Sequence, residues 1–247
     1  MATYLRNVRI NTIWQATEAI YDVLTTEGWQ WVRGSPHSLP MVLAGQEVNS
    51  VRPYLRFDDP ERIGITLNMY GDALGDGTRL SMACSWSIGS ERRLWMAADN
   101  EACCIYIKDQ WAPGVAYHAG ALERIDPNDG WAWAVGLLTN SPYSGVYQAA
   151  RGISPPTYWV NNSPHQGIYS NIFTDSWSLN TRLLGAPILA PYFRFYGNEF
   201  RGIVKFAVSG LSGANPGTEY EQRDPQTGNV TKIYVCSGTG GFEVYSA

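Results

Sequence analysis

Apolar positions along the chain follow two periods. In residues 12–27, Ile13, Ala16, Ile20, Val23 and Leu24 recur three or four apart, the spacing of one helix face. Thr12 with Gln15 three residues on forms a capping-box pattern, and Gly28 supplies a left-handed stop. Thr17, Glu18 and Asp22 fall mostly off the apolar stripe, so the helix is expected to lay a single face on a sheet or on a neighbouring subunit. Trp29 and Trp31 follow at once and are expected to open a strand and brace the helix against that sheet. Residues 34–48, rich in Pro, Ser and Gly, read as an irregular connection.

Most of the remaining chain alternates with period two or runs apolar in short blocks. Residues 51–57, 63–70, 79–88, 94–98, 102–108, 115–125 and 131–135 read as strands, and 188–196, 202–208, 218–222, 229–236 and 241–245 add more near the C-terminus. The centre of this pattern is a hairpin, in which 94–98 and 102–108 flank the polar connection Asp99-Asn100-Glu101. With 115–125 it makes a meander. Asp126-Pro127-Asn128-Asp129-Gly130 and Asp224-Pro225-Gln226-Thr227-Gly228 are turn chemistry, because proline presets one backbone angle and glycine supplies a positive one. No fixed-period repeat emerges, which argues against propellers and solenoids.

The predicted architecture is α+β: mainly antiparallel sheet, meander or sandwich-like, with the N-terminal helix packed on it. Three regions divide the chain. Residues 1–138 carry the helix and the meander core, 139–184 form an aromatic and Pro-rich insertion without obvious periodicity, and 185–247 return strands that complete the β domain. Long connections of this kind tend to be functional or to order against partners.

Composition sharpens the picture. Charged residues are 16% of the chain and aromatic ones 13%, a balance that suits broad contact surfaces at protein interfaces or on sugars. A net charge of −4 with no Lys/Arg-rich run argues against sequence-specific or non-specific nucleic-acid binding. The N-terminal residues lack a signal-peptide pattern and no apolar run is long enough to span a bilayer, so a soluble protein made in a cytoplasm is expected, with no membrane partner.

Candidate chemistry is sparse. Cys84, Cys103, Cys104 and Cys236 show no C-x-x-C pair, and the adjacent Cys103 and Cys104 point to opposite strand faces, so buried structural thiols are expected. His37, His118 and His165 lie far apart, with His37 read as a solvated loop residue and His118 inside a strand. Asp58-Asp59-Pro60 reads as a turn rather than a metal site. Residues 71–77 lack the D-x-D-x-D-G series of a calcium loop. The carboxylate pairs Asp99 with Glu101 and Glu123 with Asp126 sit at turns or strand ends, where they are expected to be solvated. No nucleophile elbow, phosphate loop or zinc-protease motif occurs. The expectation is therefore a non-enzyme with no catalytic residue, no metal and no cofactor.

The runs Ser90-Glu91-Arg92-Arg93-Leu94-Trp95-Met96-Ala97-Ala98-Asp99, Tyr117-His118-Ala119-Gly120-Ala121-Leu122-Glu123-Arg124-Ile125 and Gly228-Asn229-Val230-Thr231-Lys232-Ile233-Tyr234-Val235-Cys236, closing in Gly241-Phe242-Glu243-Val244, resemble segments of neck and tail proteins of tailed bacteriophages. A helix laid on a sheet is also similar to tail terminator proteins. The resemblance implies a structural virion subunit, assembled in a bacterial host's cytoplasm, whose partners are copies of itself in a ring, six in the terminator family, and neighbouring neck or tail proteins. Residues expected at those contacts are Trp14, Tyr21, Tyr158, Trp159, Tyr169 and Trp177. The alternative is a carbohydrate-binding β module of a virion or cell-surface protein, with Trp131 and Trp133 on one strand face, or the insertion tyrosines, as stacking platforms.

Overall fold

A computed structural model describes residues 3–47, 52, 54–58, 64–70, 84–87, 92–109, 115–124, 131–137, 145–149, 157–160, 182–183, 186–187, 190–196, 199–209, 219–223, 226–228, 230–237 and 240–246. In chain order, β1 (Thr3–Ile10) leads into α1 (Ile13–Thr26), followed by β2 (Gln30–Ser35), β3 (Ser38–Ala44), β4 (Tyr54–Asp58), β5 (Gly64–Tyr70) and β6 (Cys84–Ser87). The meander is β7 (Arg92–Ala98), β8 (Ala102–Asp109), β9 (Val115–Glu123) and β10 (Trp131–Leu137). Then come β11 (Gly145–Ala149), β12 (Thr157–Val160), the short β13 (Arg182–Leu183) and β14 (Ala186–Pro187), and finally β15 (Ala190–Tyr196), β16 (Glu199–Ser209), β17 (Glu219–Arg223), β18 (Val230–Ser237) and β19 (Gly240–Ser246).

Among the described residues, one helix and antiparallel strands in two main sheets make this a β-rich α+β fold, as the periodicities predict. The smaller sheet is a five-stranded meander, β2-β3-β4-β5-β6. The larger has twelve strands, with the path β1-β7-β8-β9-β16-β19-β18-β17 and with β10, β11, β12 and β15 attached to it. Residues 139–184, expected to lack regular structure, contribute β11 and β12, which extend this sheet outward from β10.

The helix forms for the reasons its sequence gives. Thr12 Oγ1 accepts from Gln15 N, while Gln15 Oε1 reaches back to Asn11 N at 2.7 Å, one residue before the cap. At the other end Gly28 has φ +91°, Gly28 N donates to Thr25 O and Trp29 N to Leu24 O, closing a Schellman motif. Ala16, Ile20, Val23 and Leu24 are buried, and so is Thr17, contrary to its placement off the stripe. Its hydroxyl donates to Pro36 O in the β2–β3 turn at 2.7 Å, with Ile13 O also near at 3.0 Å, which is why a polar residue is tolerated there. Thr17→Val, which keeps the shape and removes the donor, is expected to lower unfolding free energy by about 1–2 kcal/mol in urea titrations, because the Pro36 carbonyl loses a partner.

Of residues 34–48, expected as an irregular connection, 34–44 are regular: β2 runs to Ser35, 36–37 is a tight turn and β3 follows. The run Met41-Val42-Leu43-Ala44 is buried on both faces, so no alternation marks it as a strand. Gly34 allows the turn, since its φ is +73° and a Cβ there would fall 2.0 Å from Pro40 O.

The main core lies between the two sheets and the helix. Ala16, Ile20, Val23 and Leu24 of α1, Met41 and Leu43 of β3, and Leu55 and Phe57 of β4 meet Leu94, Met96, Ile105, Ala119 and Ala121 of the large sheet. Trp95, Ala97, Cys104 and Tyr106 of the same large sheet are also buried, but outside that cluster. They occupy the alternate strand positions, and β16 and β19 pack near β8 and β7 on that side. The Trp95 and Tyr106 rings sit 5.3 Å apart there, and Tyr4 meets Phe206 edge-on at 6.2 Å.

Candidate functional site

The hairpin tip between β7 and β8 gathers more of the molecule than any other described turn. Asp99 N donates to Ala102 O, while Asp99 Oδ1 accepts from Glu101 N and Ala102 N, both at 2.8 Å. The side chain thus does the accepting work of a turn carbonyl. Asp99's own carbonyl is then available to Trp29, whose indole Nε1 donates to it at 2.7 Å. Asn100 O accepts from Gln46 N at 3.0 Å, and the two side-chain amides also meet. Glu101 O accepts from Ala121 N at 2.9 Å. Gly120 makes this approach possible: its φ is +122°, and an added Cβ would lie 2.3 Å from Glu101 O and 2.5 Å from Ala102 Cα.

The carboxylates of this tip, expected to be solvated in a turn, are instead mostly withdrawn from water and paired with a cation. Lys205 Nζ lies 2.8 Å from Asp99 Oδ2 and 2.5 Å from Glu101 Oε2, and the three side chains are only 16%, 23% and 17% exposed, in the order Lys205, Asp99, Glu101. Burial alone would lower the Lys205 pKa. The hydrogen bonds and charges of Asp99 and Glu101 outweigh it and hold the pKa above its ordinary value. The ammonium is therefore kept charged, which suits a clamp and disqualifies it as a nucleophile or base near neutral pH.

Lys205 sits where β16 changes partner. Val204 and Ile203 pair with Leu122 and Glu123 of β9, whereas Ala207, Val208 and Ser209 pair with β19. Between them Phe206 has φ +63°, a conformation that costs a bulky residue about 1–2 kcal/mol. The Cys104 thiol donates to Lys205 O at 3.0 Å, so main chain and side chain are both held at this kink. Nothing in the sequence marks Lys205, which lies 104 residues beyond Glu101.

Cys103 and Cys104 are buried, with Cys103 in the main core and Cys104 outside it, as adjacent strand positions require. Burial, and secondarily the negative charge of Asp99, push the Cys103 thiol up to about 12, so it is inert. His118 is buried in β9, with Cys104 as its register partner. Among the described residues no group of three His, Cys, Asp or Glu is placed to hold a metal ion. Asp58 closes β4 and takes Arg56 Nε at 2.8 Å, an ion pair within one strand.

Of the expected contact residues, Trp14 is 39% exposed on α1 and stacks on the His37 imidazole, which itself meets Glu18. His37 is thus exposed as expected, but it is partnered. Tyr21 is half-buried against the core and offers less surface than Trp14. Tyr158 and Trp159 belong to β12. Their side chains lie outside the described residues, as do Tyr169 and Trp177 entirely, and the Trp131 and Trp133 side chains of β10. Trp31 was expected to brace the helix. Instead it is 57% exposed, with its indole Nε1 donating to Gly34 O, and Trp29 alone does the bracing. Trp14 and Trp31 are the exposed large hydrophobics among the described residues, and both touch the segment 34–37.

Fold and site together define a β-rich α+β protein in which, among the described residues, the Lys205–Asp99–Glu101 cluster is largely internal and the fixed rings of Trp14 and Trp31 are external. Compared with known protein families and with characterised proteins, the chain matches none. Among the described residues no helix is long and apolar enough to cross a membrane.

Proposed function

We propose that the chain is a non-enzymatic structural subunit of a tailed-phage particle, at the neck or tail, acting through contacts with copies of itself and with neighbouring particle proteins. The observation that supports this reading is the pair of exposed indoles beside the segment 34–37. Trp31 satisfies its one polar atom internally, and Trp14 is stacked on a histidine, so both rings are held in place before any partner arrives. Rigid, exposed aromatic rings are what contact anchors require, since little side-chain entropy remains to be lost on docking. The resemblance of the meander and C-terminal runs to phage neck and tail proteins supplies the setting.

Light scattering on Trp14→Ala and Trp31→Ala is expected to show smaller species than the wild-type chain at the same concentration, with unfolding midpoints little changed. Wild-type assembly in both variants would overturn the role given to these rings. The same exposed, fixed indoles also fit the carbohydrate-binding reading. Glycan-array binding by the wild-type chain, lost in Trp31→Ala, would favour that reading over self-assembly.

A further inference from the structure

We draw no further inference here: the strongest candidate, the aromatic and acidic stripe Trp14–Glu18–Asp22 on the outer face of α1, shares its tryptophan with the surface already described, and nothing in the structure shows what covers it.

Discussion

Replacing Gly120 by alanine is expected to destabilise the protein by at least about 3 kcal/mol. Two penalties add. The backbone holds φ at +122°, which L-residues with a Cβ rarely adopt, and the new carbon would lie 2.3 Å from Glu101 O and 2.5 Å from Ala102 Cα. Both neighbours are main chain, so no side chain can swing away. Relief would require β9 to move off the hairpin tip, which breaks the Ala121 N to Glu101 O bond and exposes the Ala119 and Ala121 part of the core. Equilibrium urea unfolding of Gly120→Ala against wild type measures this. Gly28→Ala serves as the contrast: its φ is also positive, at +91°, but nothing lies within 4 Å, and a loss of only about 1 kcal/mol is expected there.

Lys205→Met is expected to lower stability by about 2–3 kcal/mol, because it leaves two mostly buried carboxylates facing each other with no cation between them. The figure lies below that for a fully enclosed pair because water reaches all three groups to some extent. Neutralising the whole cluster, with Asp99→Asn and Glu101→Gln added to Lys205→Met, should recover part of the loss, since most of the damage comes from the orphaned charges. Recovery stays incomplete, because a neutral amide oxygen at position 99 accepts the Glu101 and Ala102 amides more weakly than the carboxylate does. The pH dependence has a definite sign. Lys205 has a folded pKa raised above the ordinary 10.5, so its contribution is fully present below about that pH and fades as pH rises through the folded value. The stability gap between wild type and Lys205→Met should therefore be constant through neutral pH and narrow in the alkaline range, by thermal unfolding at each pH.

How much of this was legible in the chain depends on the distance over which each feature acts. The helix, its cap at Thr12, its stop at Gly28 and the hairpin around 99–101 follow from neighbours within a few residues, and all four are present. What failed was environment. Thr17 looks solvent-facing on a helical wheel, yet the β2–β3 turn delivers the Pro36 carbonyl to its hydroxyl. Residues 41–44 looked like loop because a strand buried on both faces has no alternation to betray it. Asp99 and Glu101 looked solvated because their cation arrives from β16, and nothing in the run 115–125 marks Gly120 as the point on which the tip presses. Trp29 and Trp31 are two residues apart and were read alike; the Schellman turn buries the first and leaves the second outside.

Among the described residues the charges of the hairpin tip are paired within the protein, while Trp14 and Trp31 stand at the surface on fixed supports. The proposed function acts through that surface, in contacts between copies. The most direct measurement is the mass of the wild-type chain in solution, by sedimentation velocity over a concentration series at low salt. The account predicts a discrete species at an integer multiple of the 27.4 kDa chain mass that dissociates on dilution. A single 27.4 kDa species at every concentration would contradict it.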